Sequence, residues 1–251
     1  MALFEVRGLT KRFLGVTAVD GVDLALERGE LVSLIGPNGS GKTTLFNCVT
    51  GFLPVDGGRV FFQGGDVTGA PPHRIARLGV GRTFQLVSVF PRLSVLESLL
   101  VFLQQHQEES FLGRLLRTAR VRRLEDQALD RARSLLALVG LERHADAPAG
   151  TLSYGQRKLL AFAAALMSDP ELVLLDEPAA AVNPTMINQM KDHILGLHRQ
   201  GKTVLLVEHN MDVVMDISRR IVVLDHGQKI AEGPPEVIRR DPRVIEAYFG
   251  R

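Results

Sequence analysis

Leu31-Val-Ser-Leu-Ile-Gly36-Pro-Asn-Gly-Ser-Gly-Lys42-Thr43-Thr44 carries the decisive local information in this chain of 251 residues. Its first five residues are apolar or small, and Leu45 and Phe46 follow as the opening of a helical pattern. Between them, Gly36 to Thr43 satisfies G-x-x-x-x-G-K-[ST], a loop between strand and helix that cradles phosphates. Glycine lets the backbone approach an anion closely, successive N–H groups and the positive end of the helix face it, and a lysine reaches the outer phosphates. Gly36, Pro37, Asn38, Gly39, Ser40, Gly41, Lys42, Thr43 and Thr44 are therefore the candidate phosphate-binding set, with the Thr43 hydroxyl also a candidate Mg²⁺ ligand.

Outward from this loop, three more runs, Leu172 to Leu175, Val204 to Val207 and Ile221 to Leu224, are apolar throughout, as are strands buried on both faces of a parallel sheet. Helical spacing lies between two of them, with Ile187, Met190, Ile194 and Leu197 closed by Gly201. Strand and helix thus alternate as in an α/β core. Val22, Leu24 and Leu26 alternate instead with Asp23, Ala25 and Glu27, and Val60 and Phe62 bracket a second such run; a period of two predicts half-buried antiparallel strands. The stretch from Ser94 to Leu166 has no strand signal. The expected organisation is one folding unit over 1–251: an antiparallel β subdomain from 1–30 and 58–70, a helical subdomain from 86–166, and a P-loop α/β core with a C-terminal tail.

Composition narrows the function classes. The longest apolar run, Leu159 to Met167, falls well short of the roughly 18–20 residues of a spanning helix, and the first residues lack the pattern of a secretory signal. A cytoplasmic protein is expected. Cys48, the single cysteine, sits among Leu45, Phe46 and Val49 and reads as a packed thiol. A net charge of +2 is too mild to indicate nucleic-acid binding. Arg114, Arg117, Arg120, Arg122 and Arg123 read either as a solvated helix face or as a surface near anionic lipid.

Two further elements carry chemistry. Leu172-Val-Leu-Leu-Asp176-Glu177 places adjacent carboxylates at the end of a buried strand, where open α/β sheets bind ligands. Asp176 suits Mg²⁺, directly or through water, and Glu177 suits polarisation of an attacking water. Leu152-Ser153-Tyr154-Gly155-Gln156 precedes an amphipathic helix; Ser153 and the Gly155 amide at its start form a second anion site.

This last motif resembles the signature of ABC ATPases, with Tyr154 in place of the first glycine. The resemblance extends in order along nearly the whole chain. It implies that Gln85, in Thr83-Phe84-Gln85, links Mg²⁺ or the attacking water to the helical subdomain, and that His209 is the switch histidine contacting the γ-phosphate. It also implies that Phe13 stacks on adenine, although core packing is an alternative for that ring. His73, His106, His144, His193, His198 and His226 read as bystanders. Asn183, in Ala180-Ala-Val-Asn183, stands where the family usually has an acid facing the opposite subunit.

Within the ABC group, Leu152 to Gln156, Leu175 to Pro184, Val207 to Asp212 and the tail Asp241 to Gly250 are similar to ATPase subunits of branched-chain amino-acid importers. That likeness implies ATP and Mg²⁺ as cofactors, a second ATPase subunit, two transmembrane permease subunits and, indirectly, an extracytoplasmic binding protein. It places the chain on the cytoplasmic face of the membrane, with no nucleic-acid partner. Urea and amide importer ATPases share much of the pattern, and a soluble ABC ATPase outside transport is the other alternative. Leu86, Val87, Val89 and Phe90 are unusually apolar for a loop and are candidate permease contacts.

Overall fold

The computed structural model describes residues 2–83, 90–102 and 118–250. Gln85, Leu86, Val87 and Val89 lie outside the described residues, as do His106, Arg114 and Arg117. Strands β1 (Phe4–Phe13), β2 (Val16–Leu26), β4 (Gly57–Phe62) and β5 (Gly65–Asp66) form an antiparallel sheet in the order β2-β1-β4-β5. Strands β3 (Leu31–Ile35), β6 (Val80–Arg82), β7 (Leu172–Asp176), β8 (Thr203–Val207), β9 (Arg220–Asp225) and β10 (Gln228–Gly233) form a second sheet in the order β10-β9-β3-β8-β7-β6. All neighbours in that sheet are parallel except β10, which pairs antiparallel with β9.

The apolar runs are explained by what covers the sheet's two faces. Val32, Leu34, Leu172, Leu174, Leu205 and Val207 point into one core, shared with helix α1 (Lys42–Val49) and the inner residues of β1, β2 and β4. Their neighbours Leu31, Val173, Leu175, Val204 and Leu206 point the opposite way. These meet the short helix α3 (Val95–Leu100), α4 (Ala119–Leu138), α5 (Tyr154–Ala165), α6 (Pro184–Arg199) and α7 (Met211–Ile217), which follow α2 (Pro72–Arg77) in the chain. Each fully buried Leu, Ile or Val contributes about 1.5–3 kcal/mol, so a polar substitution on either face of β3, β7 or β8 is costly. A third, smaller core joins Ile35 and β9 to α7, to α8 (Pro235–Ile238) and to α9 (Pro242–Phe249).

Helix starts follow local chemistry. Ser94 and Glu97 form a reciprocal capping box at α3, Asn183 accepts the Met186 N–H at α6 with Pro184 behind it, and Asn210 caps α7. No described helix is long and apolar enough to cross a membrane.

Candidate active site

Parallel pairing decides which residues meet. Leu34 of β3 pairs with Val207 of β8, and Val207 pairs with Asp176 of β7. The phosphate loop, the segment Glu208–His209 and the carboxylates Asp176 and Glu177 therefore leave the same edge of three adjacent strands. That edge lies outside the carboxyl ends of the strands, the place where open α/β sheets bind ligands.

The loop is held from several sides. Gly36 has φ 153°, and a Cβ there would meet the Leu224 carbonyl oxygen at 2.1 Å and Ser40 Oγ at 2.6 Å, so only glycine fits. Gly41, at φ 101°, is the N-cap of α1 and packs against the Ala18 carbonyl of β2. Lys42 is buried, and its Nζ donates to the carbonyls of Gly36 and Pro37 at 2.8 Å each and to Ser40 Oγ at 3.2 Å. Burial lowers its pKa, while Glu177 and Asp176 pull it back up. The lysine head thus sits inside the loop facing both acids. Phe13, at the tip of the β1–β2 hairpin, is 42% exposed under the Lys11 ammonium, so the ring is not a core residue.

Asp176 is 3% exposed. Its N–H donates to Thr83 Oγ1 at 3.0 Å, and its Oδ2 receives Arg82 at 3.3 Å. Oδ1 is buried and has no hydrogen-bond partner among the described residues. Burial raises its pKa, opposed by Arg82. A buried acid oxygen left over at the strand end fits Mg²⁺, which keeps several waters and takes only one or two carboxylates together with phosphates.

Glu177 adopts a left-handed backbone, φ 49°, which costs a non-glycine residue about 1–2 kcal/mol. Its N–H donates to the Val207 carbonyl at 2.9 Å, its carbonyl accepts Ala180 N–H at 3.2 Å and Lys158 Nζ at 2.6 Å, and its Oε1 lies 2.8 Å from His209 Nε2. Glu208 ties the neighbouring loops together. Its buried carboxylate accepts the N–H groups of Ala179 at 2.6 Å, His209 at 3.1 Å and Asn210 at 3.3 Å, and burial raises its pKa despite them.

Ser153 and Gln156 form a capping box at α5: the Ser153 N–H donates to Gln156 Oε1 at 2.9 Å, and the Gln156 N–H to Ser153 Oγ at 3.3 Å. Gly155 faces Met186, and Tyr154 is 42% exposed. The sequence reading did not single out Arg82, Lys158 or Glu208. A basic residue at a buried position of an otherwise apolar helix face, as Lys158 is beside Leu159, Leu160 and Phe162, was the available signal. Among the other histidines, His193 stacks on Phe162 at 5.9 Å and His226 is nearly fully exposed.

A phosphate loop, two strand-end carboxylates and a histidine at one edge of a doubly covered parallel sheet define a P-loop nucleotide hydrolase. The chain belongs to the ABC transporter family, as an ATP-hydrolysing cassette: that family's model matches residues 19–180, and a branched-chain amino acid ATP-binding cassette transporter model matches residues 228–251. It is 46% identical over 249 residues to the high-affinity branched-chain amino acid transport ATP-binding protein BraF of Pseudomonas aeruginosa, covering 99% of this chain and 98% of that protein. Among solved structures it resembles the ADP conformation of an ABC transporter cassette, with a TM-score of 0.86, 35% identity and full coverage of both chains. It also resembles a dimeric cassette in a post-hydrolysis state bound to ADP and phosphate, with a TM-score of 0.79 and 25% identity over 92% of this chain and 98% of that one.

Proposed function

We propose that this chain is the ATP-binding and ATP-hydrolysing subunit of a branched-chain amino-acid importer, working at the cytoplasmic face of the membrane. The observation that carries the catalytic part is the convergence of Lys42, Asp176, Glu177 and His209 on one sheet edge. The cargo follows from the full-length similarity to BraF and from the match over the tail.

In this reading the amides of Gly36 to Thr44 and the Lys42 ammonium bind the phosphates, the Lys42 head exchanging loop carbonyls for phosphate oxygens. Phe13 offers an exposed face to adenine. Thr43 and Asp176 would hold Mg²⁺, which would supply positive charge to the outer phosphates; Gln85 is assigned to the same task from the sequence. Glu177 accepts the proton of the attacking water, and His209, 2.8 Å from it, orients the carboxylate and reaches the γ-phosphate. Ser153, Tyr154, Gly155 and Gln156 face the ATP of a second ATPase subunit, so that nucleotide closes the dimer and hydrolysis releases it.

A cleft of about 260 Å³ between the core and the helical region, lined by Phe52, Ile75, Arg82, Phe102 and Ala165, supports docking of a permease segment. Phe90, named from the sequence as a candidate for the same contact, is 45% exposed.

Glu177→Gln tests the reading. Glutamine keeps the shape and hydrogen-bonding reach but accepts no proton, so turnover should drop by about 10²–10⁴ while ATP and Mg²⁺ binding persist. Size-exclusion chromatography with ATP and Mg²⁺, run with the second ATPase subunit present, should show more dimer than wild type, and adding Ser153→Arg should abolish the gain. Turnover at the wild-type rate would place the base elsewhere.

A further inference from the structure

Lys158 lies on α5, little more than one turn beyond Ser153, and is only 6% exposed. Its ammonium reaches out of the apolar face of that helix to donate 2.6 Å to the Glu177 carbonyl, with the Tyr154 ring 5.6 Å from it. Asp176, Glu177 and Glu208 are the acids that face it, from β7 and from the end of β8. Nothing in local packing demands a lysine here. The Glu177 carbonyl already accepts the Ala180 N–H at 3.2 Å, so it would keep a hydrogen-bond donor without the lysine.

What the lysine adds is direction. Glu177 holds a left-handed backbone, a conformation that persists only when its surroundings over-determine it. Val207 holds its N–H, His209 its carboxylate and Lys158 its carbonyl. The first two holds come from β8 and the loop after it; the third comes from the helix whose first turn is the signature motif. Between them, Thr83, Lys158, Phe162, Asp176, Glu177 and Met190 leave only a half-open gap of about 10 Å³, at the lower limit for a single water. A shift of α5 is therefore passed to Glu177 rather than absorbed.

We propose that Lys158 is a positioning residue that ties the signature helix to the catalytic carboxylate of its own subunit, so that seating Ser153–Gln156 on the partner's nucleotide sets the orientation of Glu177. This rests on the roles assigned to Glu177 and to the signature motif above. A misplacement of about 1 Å in a reacting group can cost about 100-fold in rate, so the link acts on turnover and not on affinity.

The test uses the assembled transporter in vesicles with Lys158→Met and Lys158→Arg. Methionine fills the space without a donor; arginine restores the donor and the charge. The expected result for Lys158→Met is a fall in kcat of about 10- to 100-fold, with KM for ATP and equilibrium ATP binding within about twofold of wild type and a lower Tm, because Asp176, Glu177 and Glu208 lose a counter-charge. Lys158→Arg should recover most of the kcat. Retention of wild-type kcat by Lys158→Met would overturn the proposal, as would a kcat loss that arginine does not recover, which marks a packing role. Glu177→Gln measured alongside separates the two levels: if it is inactive while Lys158→Met is not, only the link fails, and if it turns over normally the base assignment falls and takes the link with it.

Discussion

Arg82→Met isolates the buried ion pair that holds Asp176. Arg82 and Asp176 have side chains only 7% and 2% exposed, and the guanidinium also donates to Thr50 Oγ1 at 2.6 Å and lies 5.6 and 5.5 Å from the rings of Phe46 and Phe52. Methionine keeps much of the contact with those rings and removes the charge. Removing one partner of a buried pair costs about 3–5 kcal/mol because the other charge is left uncompensated. The lower end applies here, about 3 kcal/mol, because the ammonium groups of Lys42 and Lys158 still act on Asp176. For a chain of this size that is a fall in Tm of about 6–12 °C.

The deficit has a pH signature. Burial already raises the Asp176 pKa and Arg82 opposes the rise, so the variant's folded-state value climbs further above the unfolded value of about 3.9. A carboxyl group with a raised folded pKa favours the folded state at low pH, and that advantage is lost as pH rises through the folded value. The loss of stability should thus be larger at pH 8 than at pH 5. The chain has no tryptophan, so urea unfolding is best followed by far-ultraviolet circular dichroism. Adding Asp176→Asn should recover most of the loss. A deficit below about 1 kcal/mol that is flat with pH, or one that Asp176→Asn does not relieve, would refute the account of Arg82 as the counter-charge.

Gly36→Ala drives a methyl group to 2.1 Å from the Leu224 carbonyl oxygen and forces the loop to move. Lys42 holds the Gly36 carbonyl, so calorimetric titration should show weakened ATP binding along with a stability loss of about 1–3 kcal/mol. Asn183→Asp keeps an acceptor for the Met186 N–H, which Asn183 receives at 2.8 Å; urea midpoints should shift by less than about 0.5 kcal/mol, whereas Asn183→Ala should cost about 1 kcal/mol.

The phosphate loop, the strand-end acids and the buried strands are legible in the sequence because each is contiguous. A strand, a loop with required glycines and a helix start are neighbours along the chain, and a strand covered on both faces has to be apolar throughout. The capping boxes at Ser94 and Ser153 also close within three residues, a local signal that the reading of the sequence left unused. Short or edge strands are not legible. β6 has only three residues, and β10 buries only Ala231, so neither leaves a clear periodic pattern.

Tertiary structure alone decided the order β3-β8-β7, which brings Leu34, Val207 and Asp176 into register and so assembles the site. It also decided the contacts of Arg82 with Asp176, 94 residues apart in sequence, and of Lys158 with Glu177, 19 residues apart. No local propensity encodes such pairs. They form because packing the helices onto a completed sheet leaves charged groups out of reach of water, and a buried charge persists only beside groups that compensate it.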